Sequence, residues 1–161
     1  MRKTKFCAQN RFLFMKRLYV VFFTFYTFVL LYLMLFGCGR ESNEIGNLQL
    51  RPLESIHYFL QPGMPFWRIF INIICNIVVF VPFGFLGMAF PYLKKFLPLT
   101  ILFVAGIISI EFTQYYTGRG TADVDDVLLN TLGMLSGFSF YKLIGAHFLE
   151  TLHYYFPRRV A

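Results

Sequence analysis

The sequence predicts an all-α membrane protein, a bundle of four transmembrane helices with both termini in the cytoplasm. Three observations carry this. Of 161 residues, 57% are hydrophobic and only 14% charged, with 22 Phe, more apolar surface than one soluble domain of this length could hide. The apolar residues fall into four runs, about 18–37, 69–90, 97–116 and 126–146, each near the roughly 20 residues a helix needs to cross the hydrocarbon. Finally, eleven of the 15 Lys and Arg lie in segments this topology puts inside and four in segments it puts outside, as the positive-inside rule requires. The net charge of +7 therefore reflects topology. Nucleic acid is not an expected partner, because no basic groove is interleaved with exposed aromatics.

Residues 1–17 form a basic cytoplasmic N-terminus with Arg2, Lys3, Lys5, Arg11, Lys16 and Arg17 and no acid, and an uncharged run follows from Leu18 to Gly37. Residues 38–68 are a mixed outer loop punctuated by Pro52, Pro62 and Pro65. Within it Leu53, Ile56, Phe59 and Leu60 recur at helical spacing, which predicts a short helix lying on the membrane surface. The second span, Ile69 to Phe90, carries Asn72 and Asn76 on one face. Pro82 and Gly84 follow, and the proline is expected to kink the helix and release the carbonyl of Val78.

Lys94 and Lys95 mark a tight inner turn, and the third span ends at Gly118-Arg119-Gly120. The fourth carries Gly133 and Gly137, a small-xxx-small pattern suited to close helix contact, and Lys142 can snorkel near its end. A cytoplasmic tail, 147–161, holds His147, Glu150, His153, Arg158 and Arg159. Cys7, Cys38 and Cys75 have no metal-site spacing and read as small apolar fillers. Leu35-Phe36-Gly37-Cys38 resembles a lipoprotein signal, but Phe36 is bulky for its place and the apolar run is long for a signal.

Glu111 to Asn130 holds four of the eight acids, Glu111, Asp123, Asp125 and Asp126, with Arg119 among them. At 1.5 Å rise per residue, Asn72 and Asn76, Glu111 and Gln114, and Asp126 and Asn130 all fall roughly 5 to 10 Å or less from the outer membrane surface. Three spans thus bring polar groups to one layer, and an ionisable residue in a span is a functional candidate by default. Each has a plainer role open to it. Asp125 and Asp126 could be helix N-caps. The amides could be interhelical hydrogen-bond partners. Glu111 and Arg119 could form an ion pair closing the hairpin.

Asn76-Ile77-Val78-Val79-Phe80-Val81-Pro82-Phe83-Gly84 resembles the N-xxx-F-x-P-x-G motif of the VanZ-like family of small bacterial membrane proteins. Glu111-Phe112-Thr113-Gln114 resembles its E-x-x-Q. Arg119 with Asp123-Val124-Asp125-Asp126 and Asn130-Thr131-Leu132-Gly133 is similar to its R…D-x-D-D-xxx-N-T-x-G signature. The resemblance covers roughly residues 47–145, and residues 18–146 are expected to form a VanZ-like transmembrane domain. It implies a link to resistance to the glycopeptide teicoplanin, through the founding member, and implies no reaction.

The expected function is therefore non-catalytic. An outward-facing polar pocket of Asn76, Glu111, Gln114, Arg119, Asp123, Asp126 and Asn130 would bind a lipid-linked or cell-wall component, or the glycopeptide itself, in the bacterial plasma membrane. Phe80, Pro82, Gly84, Gly133 and Gly137 would hold the helices in place. No cofactor and no metal is expected. The alternative is a membrane-embedded enzyme acting on a lipid or lipid-linked precursor. There Glu111, Asp123 and Asp126 would serve as acid, base or ligands to a divalent cation, with Arg119 clamping a phosphate. HExxH and GxSxG motifs are absent from the sequence. A channel ranks last, because the polar residues stop in the outer half.

Overall fold

In hydrocarbon the backbone must satisfy its own hydrogen bonds, and apolar runs of this length do so as helices. The computed structural model describes residues 2–37 and 47–155, with side chains at 13–37 and 47–145. Cys38 and the side chains of Cys7 and of the C-terminal tail lie outside these ranges. In chain order the elements are α1 (Arg2–Phe36), β1 (Leu48–Gln49), α2 (Glu54–Phe59), α3 (Phe66–Ile69), α4 (Asn76–Val78), α5 (Phe96–Tyr116), β2 (Ala122–Asp123) and α6 (Val124–Tyr155). Among the described residues four segments are long and apolar enough to cross a membrane: Leu13–Phe36, Phe66–Met88, Phe96–Tyr116 and Val124–Gly145.

The second span differs from the single kinked helix that the sequence predicts. After α3 comes a π-helical stretch, Phe70–Cys75, then α4, then a 3₁₀ segment, Val81–Met88. The asparagines account for part of this. The Asn72 side chain donates to the carbonyl of Arg68 and that of Asn76 to the carbonyl of Asn72, both at 2.9 Å. Each amide thus competes with the main chain for a carbonyl four residues back. Further on, Pro82 has no N–H to give, and Phe83 N–H bonds to Phe80, only three residues back.

Close backbone contact holds this irregular span against α6. A β-carbon at Gly133 would stand 2.1 Å from the Ile77 carbonyl oxygen, and one at Gly137 2.0 Å from that of Val81. One at Gly84 would stand 2.1 Å from the Phe138 nitrogen. Below this seam Phe80, Leu99, Phe103, Ile107, Met134 and Phe138 form the buried core. Helix α1 packs more lightly, and its Tyr26 hydroxyl donates to the Val79 carbonyl at 2.6 Å. Tyr26→Phe is expected to lower stability by about 0.6 kcal/mol, the average for such bonds in membranes. A thermal melt in detergent checks this, and an unchanged midpoint would mean that Val79 finds another donor.

Helix α5 ends in a Schellman turn. Gly118 takes φ 63, its N–H bonds to Tyr115, and Arg119 N–H bonds to Gln114 at 3.0 Å, so the last carbonyls are satisfied before the chain turns back. One feature has no trace in the periodicity. β1 and β2 pair in parallel, with Leu48 opposite Ala122 and Gln49 opposite Asp123. The first loop is thereby tied to the short link between α5 and α6.

Candidate functional site

The site is built around the start of α6. Asp123 is the residue before this helix, and its Oδ1 accepts the Asp125 N–H at 2.8 Å, which makes Asp123 the N-cap. Its other oxygen accepts the hydroxyl of Ser55 on α2. Its own N–H donates to Glu111 Oε2 at 3.0 Å. Glu111, 5% exposed, thus fixes the end of α5 to the link that leads into α6.

Asp125 is 1% exposed and reaches across the sequence. It accepts the Leu53 N–H at 2.6 Å and the Ile56 N–H at 3.1 Å. These are unsatisfied donors at the start of α2, so Asp125 caps a helix some seventy residues away rather than its own. Leu53 there has φ 67, a left-handed conformation that costs a leucine about 1 kcal/mol or more. The short helix expected on the membrane surface exists, but its apolar residues divide. Ile56 and Phe59 are half-buried, while Leu53 and Leu60 are exposed.

Asp126 points to the second span, where Oδ1 accepts the Asn76 amide at 2.9 Å. Between α2, the π-helical stretch and the start of α6 lies a cavity of about 490 Å³, lined by Gln49, Glu54, Ser55, Ile56, Tyr58, Phe59, Asn72, Ile73, Thr121, Asp123, Asp125, Asp126 and Leu129. A π-helical stretch in a wall of this kind is common at functional sites. Gln49 donates to Glu54 at 2.7 Å, so strand and helix share one rim.

The remaining predicted residues sit elsewhere. Gln114, 3% exposed, donates to the Met34 carbonyl at 2.9 Å, in the last turn of α1. The Arg119 guanidinium lies over the Phe36 ring at 4.2 Å, where a cation also complements the negative end of the α1 dipole. Neither lines the cavity. Asn130 is 1% exposed, and its Oδ1 has no hydrogen-bond partner among the described residues. Among those residues no three His, Cys, Asp or Glu side chains converge to hold a metal ion. Sequence reasoning missed Ser55, Gln49 and the role of Asp125. The aspartates were visible as a cluster, but their partners are about seventy positions away.

A model of the VanZ/LLP1 family matches residues 23–145. The chain is also 28% identical over 123 residues to Protein VanZ of Enterococcus faecium, covering 76% of this chain and 72% of that protein. No solved structure matches. The matched stretch takes in the Asn76, Glu111 and Asp123–Asn130 motifs together with parts or all of the four spans, and on that ground this multi-pass membrane protein belongs to the VanZ/LLP1 family.

Proposed function

We propose that this protein is a non-catalytic component of the bacterial cell envelope that binds a lipid-linked or cell-wall component in the cavity between α2 and α6. Through that binding it contributes to glycopeptide tolerance, with teicoplanin the drug in question. The observation that carries the reading is the cavity itself, a polar space of about 490 Å³ at the end of a hydrocarbon-spanning bundle. Pockets of 300–1,000 Å³ with a few fixed polar groups are the usual size for small ligands. The bias of basic residues, eleven against four, supports an outward orientation of this end. The enzymatic alternative is weaker, because Glu111 is engaged with the Asp123 N–H and Arg119 lies on Phe36.

Native mass spectrometry of the detergent-purified protein tests this. The wild type is expected to carry a lipid or lipid-linked species that both Asn76→Leu and Asp126→Asn lose while remaining folded. A wild type that carries nothing, or variants loaded as fully as the wild type, would end the reading. For tolerance, a deletion strain expressing Asp126→Asn is expected to stay teicoplanin-sensitive. Full rescue by that variant would remove the cavity from the phenotype.

A further inference from the structure

A second space lies within the bundle, away from the polar cavity. It measures about 390 Å³ and stands between α1, the second span and α5, with Thr27, Leu31, Met34, Phe83, Leu102 and Gly106 among its walls. Two hydrogen bonds frame it. The Tyr26 hydroxyl ties α1 to the Val79 carbonyl, and the Gln114 side chain ties α5 to that of Met34. Eight residues of α1 separate these ties, about 12 Å along the helix axis. Gly106 contributes no side chain to the space between them. Small residues in spans usually let a neighbouring helix approach, but a β-carbon at Gly106 would meet nothing within 4 Å beyond its own helix. Leu102 and Gly106 lie one turn apart and are both exposed, so the crevice opens sideways along a membrane-spanning segment.

The lining sets the chemistry of what enters. Its one hydroxyl, that of Thr27, already donates to the Phe23 carbonyl of its own helix at 2.9 Å. No charged residue and no side-chain amide lines the space, so a polar ligand would lose its hydration without gaining a partner. Size excludes a helix from a partner protein. One helical turn, about 10 Å across and 5.4 Å high, takes up roughly 400 Å³, as much as the whole crevice. Residues 38–46 carry Arg40, Glu41 and Glu44, and charges are costly among these spans. An unfilled space would forfeit the dispersion contacts of its lining. Hydrocarbon surrounds the spans, and a single flexible chain has the shape that fits.

We infer that the crevice between α1 and α5 is a binding site for one acyl chain of a membrane phospholipid, which enters sideways at Gly106. The chain is recognised rather than the headgroup, and the site is separate from the polar cavity and its proposed role. The test titrates the full-length protein, stripped of lipid in detergent, with phosphatidylglycerol bearing palmitoyl and oleoyl chains and with the dihexanoyl form. Bound lipid is read by native mass spectrometry. The long-chain lipid is expected to bind at least tenfold more tightly than the short one, and long-chain phosphatidylethanolamine to match it within about twofold. Gly106→Phe, which fills the opening without striking a neighbour, should weaken long-chain binding about tenfold, and Leu102→Trp should do the same from the other side of the opening. Gly145→Phe is the control, at a glycine equally open but on α6 and outside the crevice, and should bind as wild type. Asn76→Leu and Asp126→Asn should keep this lipid. Wild-type binding by both Gly106→Phe and Leu102→Trp, or an equal loss in Gly145→Phe, would overturn the site. Short chains held as tightly as long ones would overturn it as well. A lipid lost in Asp126→Asn but kept in Gly106→Phe would belong to the polar cavity, which ends the crevice assignment and leaves the proposed role of the cavity standing.

Discussion

Gly137→Leu is expected to leave α6 unable to pack on the second span, at a cost of about 3 kcal/mol, the upper end of what overpacking usually costs. A β-carbon at this position would stand 2.0 Å from the Val81 carbonyl oxygen. That atom belongs to backbone, which cannot swing aside as a side-chain end can. The leucine would therefore push the helices apart along the whole Gly133–Gly137 seam. Because the same seam sets the separation at which Asn76 reaches Asp126, ligand binding should fall with stability. Unfolding in dodecyl sulfate, followed by circular dichroism, measures the loss. Ser136→Ala is the control: its hydroxyl bonds only within its own helix, to Leu132, and a change within about 0.5 kcal/mol is expected. A Gly137→Leu protein that unfolds with the wild type would mean that the close approach does not exist in the membrane.

Asp125→Ala should release the first loop while leaving the bundle standing. Its carboxylate accepts two N–H groups, those of Leu53 and Ile56, and bonds to such an acceptor are worth about 1.5 to 3 kcal/mol each. Alanine leaves both donors without that acceptor and removes what holds Leu53 at φ 67. The expected local loss is about 3 kcal/mol, or roughly a hundredfold or more in hydrogen-exchange protection of those two amides. The amides of α5 and the middle of α6 should keep theirs, since their core contacts do not involve the loop. Asp125→Asn should fall between, because one oxygen still accepts while the new amino group opposes a donor. Full protection at Leu53 and Ile56 in Asp125→Ala would show that Ser55 with Asp123 and the β1–β2 pair suffice to hold α2.

The readable parts of this protein were those governed by local chemistry. Four apolar runs and their charged flanks identify the spans, because crossing hydrocarbon imposes a length and a composition on each run independently of its neighbours. Gly133 and Gly137 at small-xxx-small spacing on the face of Asp126 and Asn130 pointed to close helix contact, and the Ile77 and Val81 carbonyls supply the contact. Asp123, Asp125 and Asp126 stood out because so few acids occur in the chain. A kink at Pro82 was legible, since a proline has no N–H to offer, but the π-helical and 3₁₀ segments on either side of α4 were not.

Partners far apart in sequence were not legible. Whether Asp125 caps its own helix or α2 depends on where residues 47–60 fold back, and no periodicity encodes that return. Gln114 and Arg119 belong by depth to the polar layer, yet three-dimensional packing sets them against the end of α1 at Met34 and Phe36. A depth estimate gives height in the bilayer but not the angle around the bundle, and the angle decides which groups meet. The sequence by itself determined a four-span membrane protein of the VanZ/LLP1 family with an acidic patch at one end, because membrane insertion responds to composition along the chain. Only the tertiary structure decided that this patch holds α2 over a cavity, because that arrangement depends on hydrogen bonds between residues about seventy positions apart.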